Sequence, residues 1–169
     1  AFVNSHLAAH RPAVARRNAE QRLLARTLFD TDARTLRHSQ AERLGEEGVD
    51  HTHVAIGVDD GAASSPLHRQ HDLVVWFGDL NYRIDELSRD DTVDRIEAGA
   101  LPKLLLHDQL LRVRCDRAAF VHYREADIRF APSYKYDVGT LRYDTSDKQR
   151  VPSWTDRVLW RGGGETPGP

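Results

Sequence analysis

The chain of 169 residues is 40% hydrophobic and 30% charged, with a formal net charge of −2, values that suit one soluble domain or a large piece of one. Near-neutral charge excludes nucleic acid held through an overall positive field, and no apolar run approaches the ~20 residues that span a bilayer. With no charged-then-apolar opening of the signal-peptide kind, the chain reads as cytoplasmic.

In chain order, residues 1–7 read as a strand. "RPAVARRNAEQRLLARTLF" from Arg11 reads as a helix, with Pro12 in its first turn and Val14, Leu24 and Leu28 on one face. Residues 31–70, rich in Asp, Gly, Ser and His, carry no sustained apolar period and are expected to form a long variable loop. "HDLVVWFGD" is continuously apolar from Leu73 to Phe77 and reads as a buried strand ending at Gly78. Ser88 is placed to cap a helix running to about Ala98. Leu101–Val113 gives a second apolar helix, in which "LPKLLL" reads as core rather than as a lipid contact. Cys115, the single cysteine, has no companion for a disulfide or a zinc site and is expected to be a packing residue. Short strands are expected around Phe120 and over Ile128–Phe130, Tyr134–Tyr136 and Asp156–Trp160. Strands and helices without regular βαβ alternation favour an α/β layered sandwich over a doubly wound sheet. An opening without Met and a turn-rich stop at "RGGGETPGP" read as a piece of a domain.

Chemistry first enters at "GDLN", where a carboxylate (Asp79) and an amide (Asn81) stand two residues apart at a strand exit. Such a pair can deprotonate a water and donate to an oxyanion, but the same residues serve equally well as an Asp–Asn turn. "NSHL" sets Asn4 and His6 at the end of the first strand with the same spacing, where His6 could donate to a phosphate oxygen. "PSYKYD" offers Tyr134 and Lys135, and "DTSDKQR" offers Lys148 and Arg150, all phosphate ligands in chemical type. Lys103, Lys135 and Lys148 are the only lysines among 24 basic residues. Two of the three thus fall in these clusters, as expected where a compact ammonium is needed.

"FVNSHLAAH" with "RRN", "WFGDLNYRI", "PSYKYD", "DTSDKQR" and "PSWTDRVLW" together resemble the catalytic domain of the inositol polyphosphate 5-phosphatases, nearest the type II branch. The resemblance implies a deoxyribonuclease-I-like β-sandwich flanked by helices. It further implies Mg²⁺-dependent hydrolysis of the 5-phosphate of phosphatidylinositol 4,5-bisphosphate, related phosphoinositides or soluble inositol polyphosphates, with peripheral membrane contact and no nucleic-acid partner. By position, Asp79 would activate the attacking water, Asn81 would support it, and His6 would contact the scissile phosphate, with Asn4 beside it. Asp156 would orient a catalytic His near the family's C-terminus. Tyr134, Lys135, Lys148 and Arg150 would grip the 4-phosphate, and Arg157 of the last block joins the substrate-binding set. The family's main Mg²⁺ carboxylate is expected upstream of residue 1 and its closing Ser-Asp-His block downstream, so the 169 residues alone are expected to be inactive. Two alternatives stand beside this reading: a catalytically inactive phosphoinositide-binding module, and a nuclease of the same superfamily.

Overall fold

The computed structural model describes residues 1–29 and 65–162. Most of the loop expected over 31–70 lies outside them. Three strands, β1 (Phe2–Asn4), β2 (Leu73–Asp79) and β3 (Asp156–Gly162), form one mixed sheet with β2 in the centre, parallel to β1 and antiparallel to β3. Strand alternation sends Val3, Val74, Trp76 and Leu159 to a covered face. On the opposite face Phe2, Leu73 and Val158 are 79%, 49% and 57% exposed. The unbroken apolar run of β2 therefore serves two faces, and among the described residues only one is covered. The expected α/β layering holds, with one mixed sheet and its flanking helices among the described residues.

Helices α1 (Val14–Thr27) and α2 (Pro66–Arg69) lie beside the sheet, and α3 (Arg89–Glu97), α4 (Leu101–Leu105) and α5 (Gln109–Cys115) follow β2. The main core centres on Trp76, whose ring meets Phe120 and Tyr123 edge-on at 5.4 and 6.0 Å. A second cluster joins Ile84, Leu87, Leu104 and Trp154, so "LPKLLL" is largely a core helix, as read. Ser88 caps α3 by accepting from the Asp91 amide.

The predicted helix over 101–113 is in fact two. Asp108 turns inward, caps α5 by accepting from Leu111 N–H, and breaks the chain after Leu106; a buried carboxylate in an apolar run outweighs the run's periodicity. Cys115 is exposed rather than packed, because Leu110 and Val113 supply the buried side of α5. Phe120 sits in a turn with φ 50°, Ile128–Phe130 form no strand, and Tyr134 and Tyr136 make single bridges to Ser153 and Tyr143. No described helix is long and apolar enough to cross a membrane.

The inward side of α1 is largely polar. Val14, Leu24 and Leu28 pack against the core as predicted, but Arg17, Asn18 and Gln21 are buried among them. The Arg17 guanidinium donates to the carbonyls of Ala8, His10 and Arg11 and to Gln109 Oε1, and lies 5.0 Å from the Tyr82 ring. Asn18 accepts the Tyr82 hydroxyl at 2.7 Å. "RRN" thus fixes the loop that leads out of β1.

Candidate active site

At the exit of the sheet the chain must pass three segments through one point. Gly78 permits it: its φ is +122°, and a Cβ there would lie 2.4 Å from the Ser5 carbonyl oxygen and 2.5 Å from Asn4 Oδ1. Beyond β1 the pairing continues, with Ser5 N–H donating to Phe77 O and Leu7 N–H to Asp79 O. His6 and Asp79 are thereby brought together, His6 Nε2 lying 3.5 Å from Asp79 Oδ2. Asp156 is the register partner of Asp79 across the antiparallel pair.

Asn81 does not reach the site by strand alternation. The strand ends at Asp79, Asn81 takes a left-handed conformation with φ 57°, and its N–H donates to Asp79 Oδ1 at 3.1 Å. The Asp–Asn turn is therefore present, and it sets the carboxylate and the amide side by side. The Asn81 side chain is buried, with Nδ2 donating to Leu7 O at 2.9 Å and Oδ1 accepting from Arg83 at 2.5 Å. These bonds fix which way the amide faces and engage one of its two N–H groups. Burial, and after it the facing Asp156 carboxylate, push Asp79 above the ordinary range of an aspartate, against the opposing pull of His6 and Arg83.

Beside this cluster lies a cavity of about 560 Å³ lined by Ala9, His10 and Arg11 of the loop after β1, by Arg83, by Tyr134, and by Lys148 and Arg150. Arg150 is anchored by Asp144, which accepts from it at 3.0 Å and holds its guanidinium above the ordinary value. Asp144 in turn is held well below the carboxylate range by Ser146 and Arg150. Lys148 makes no ion pair among the described residues, so its ammonium is available to an anion. Arg83 joins the two halves: it donates to Asn81 O and Oδ1 and stacks 4.3 Å over the Tyr134 ring. Sequence reasoning passed over Arg83, His10 and Arg11. The signal for Arg83 was its place inside "GDLNYR" and that for His10 its place at the end of "FVNSHLAAH"; Arg11 carried none.

Three of the expected substrate-binding residues do not line the cavity. Lys135 is exposed and does not line the cavity. Asn4 is exposed and lies against Gly78. Arg157, expected to bind substrate, is instead buried under the sheet. Its Nε and Nη2 form a fork on Glu125 at 2.6 and 2.7 Å, and Nη1 bonds both oxygens of Asp108 at 3.0 Å. Burial pulls this guanidinium down, but Asp108 and Glu125 outweigh it and hold it above the ordinary value. Alternation explains the difference, since Asp156 faces the site and the next residue must face the core.

For a divalent cation, the described residues hold no group of three or more His, Cys, Asp or Glu. They do supply facing carboxylates at Asp79 and Asp156, whose mutual repulsion a hard cation would relieve. The donor set fits part of an oxygen cage rather than a closed one.

The profile described as Endonuclease/Exonuclease/phosphatase family 2 matches residues 1–167. The type II inositol 1,4,5-trisphosphate 5-phosphatase of Mus musculus is 36% identical over 160 residues, covering 95% of this chain and 14% of the mouse protein. Inositol-1,4,5-trisphosphate 5-phosphatase 1 of Schizosaccharomyces pombe is 51% identical over 92 residues, 54% of this chain and 8% of that protein. Among solved structures, the inositol polyphosphate 5-phosphatase domain of SPsynaptojanin, in complex with inositol (1,4)-bisphosphate and calcium ion, superposes with a TM-score of 0.67 at 35% identity over 95% of this chain and 38% of that one. The chain thus spans well under half of each. With a family match over residues 1–167 and a shared fold, the chain belongs to the Endonuclease/Exonuclease/phosphatase family 2.

Proposed function

We propose that the protein containing this chain removes the 5-phosphate from phosphatidylinositol 4,5-bisphosphate, related phosphoinositides or soluble inositol polyphosphates. The observation that carries the reading is Arg83, one side chain that touches the hydrolytic amide Asn81 and walls the cationic cavity. Asp79 takes the proton of the attacking water, and its raised pKa makes it a better base than a solvated carboxylate. His6 and the remaining N–H of Asn81 donate to phosphoryl oxygens as charge gathers there. Asp156 sets the charge on Asp79, and Tyr134, Lys148 and Arg150 hold the 4-phosphate. A Mg²⁺ ion held in part by Asp156 would supply positive charge at the phosphoryl group, leaving Asp79 free to act as the base. A lipid substrate implies a cytoplasmic protein working at a membrane surface, with no nucleic-acid partner.

The test is Asp79→Asn in the full-length protein, measuring phosphate release from inositol 1,4,5-trisphosphate. Turnover is expected to fall by about 10²–10⁴ with little change in KM, because an amide still hydrogen-bonds but takes no proton. A loss of less than about tenfold would return "GDLN" to a purely structural role. If the unaltered protein binds the trisphosphate without releasing phosphate, the site is a binding module instead.

A further inference from the structure

Between Tyr134 and Lys148, both of which line the cationic cavity, the chain leaves the cavity wall and returns to it through a small hairpin. Its base is the stacked pair Tyr136 and Tyr143, with ring centroids 4.5 Å apart, joined by a β-bridge. Its tip carries Val138 and Leu141, 98% and 91% exposed, more than any other large apolar side chain described. The tip is braced: Asp137 N–H donates to Arg142 O, and Thr140 N–H to Asp137 O. The Asp137 carboxylate accepts from Thr145 N–H, Thr145 Oγ1–H and Arg142 Nε–H. These bonds hold the turn in a conformation that presents both apolar side chains to solvent.

We infer that the Val138–Leu141 tip is a shallow membrane anchor, inserted into the lipid surface beside the headgroup that the cavity holds. This rests on the phosphoinositide reading of the cavity. Size argues for a bilayer over a protein, since a stable protein interface buries ~800 Å² on each side and two side chains fall far short of that. Two or three residues beyond the tyrosine bridge give a reach of about 7–10 Å, which matches the ~5–10 Å depth of interfacial insertion. Charge agrees in sign: with Asp137 and Asp144 paired to Arg142 and Arg150, Lys135 and Lys148 stand against Asp147 alone. A weak apolar contact and a specific headgroup contact are each marginal, and together they give two-signal attachment.

The experiment compares the full-length protein with Val138→Ser/Leu141→Ser and with Val138→Trp. Each is sedimented with phosphatidylcholine vesicles carrying phosphatidylinositol 4,5-bisphosphate, and each is assayed on those vesicles and on soluble inositol 1,4,5-trisphosphate. The double variant is expected to lose about tenfold or more in vesicle binding and vesicle hydrolysis while soluble turnover stays within about twofold. Val138→Trp should bind vesicles more tightly, with a blue-shifted emission from the new indole. Equal losses on soluble and vesicle substrates, vesicle binding unchanged in the double variant, or no vesicle binding by the unaltered protein would each overturn the anchor. Sedimentation that depends on the tip without any phosphate release would sustain the anchor and sink the phosphatase reading, so the two fail separately.

Discussion

Replacing Arg157 by Met in the full-length protein tests the most deeply buried charge next to the site. The side chains of Arg157, Asp108 and Glu125 are 1%, 0% and 8% exposed. Removing the guanidinium leaves Asp108 with the Leu111 amide and leaves Glu125 with Arg114 at 3.0 Å as its remaining ion pair. Breaking one partner out of a buried ion pair costs about 3–5 kcal/mol. At about 2–4 °C per kcal/mol for a domain of this size, the melting temperature should fall by about 6–20 °C at pH 7. The sign of the pH dependence is a second check. Burial already raises Asp108 above its unfolded value, and a raised carboxylate contributes stability that is present below the unfolded pKa and lost as pH rises through the folded one. Acidification from pH 7 toward 4 should therefore narrow the gap between Arg157→Met and the unaltered protein. Thermal unfolding followed by circular dichroism at both pH values measures this. A melting temperature within about 2 °C at pH 7, together with lost activity, would mean that Arg157 acts on substrate and that the buried arrangement is wrong.

Asp156→Asn should lower the titration midpoint of Asp79 in the metal-free protein, read from its carboxyl carbon by NMR, because the facing negative charge is gone; an unchanged midpoint would mean the two carboxylates do not face each other. Lys148→Ala should reduce kcat/KM for 4,5-bisphosphorylated substrates about ten- to a hundredfold more than for substrates without the 4-phosphate, whereas Lys135→Ala, outside the cavity, should leave that ratio within about twofold. Arg83→Lys should lower kcat more than it raises KM, since an ammonium cannot both bond the Asn81 amide and stack on Tyr134; a pure KM effect would reduce Arg83 to a phosphate ligand. Gly78→Ala should destabilise by about 2–4 kcal/mol in urea unfolding, as its Cβ meets backbone and φ is positive.

Residue order is legible where apolar spacing and side-chain chemistry agree: β2, β3, the Ser88 cap and the Asp–Asn turn of "GDLN". Elsewhere a buried polar group took precedence over the apolar pattern. Asp108 split a helix that periodicity drew as one, and Arg17, Asn18 and Gln21 turned the inner face of α1 polar. Partners for such groups lie far away in sequence, Gln109 for Arg17 and Glu125 for Arg157, so no local window shows them. Left-handed residues at Arg117, Phe120 and His122 made turns of a stretch expected to contain a strand. Arg157 belongs to the motif "PSWTDRVLW", yet alternation from Asp156 points its side chain away from the site. Arg83 was missed because a motif was read for its acid and amide and not for the cation that orients them.

The open face of the sheet bears on how the polypeptide behaves in a test tube. Phe2, Leu73 and Val158 stand bare on it, beside an edge strand, β1, of only three residues. A formal charge of −2 gives neighbouring molecules little mutual repulsion. Prepared alone at high concentration, these residues should scatter light and bind a hydrophobic dye such as ANS. Near pH 6.5, the pI of the sequence, the scattering should be greatest.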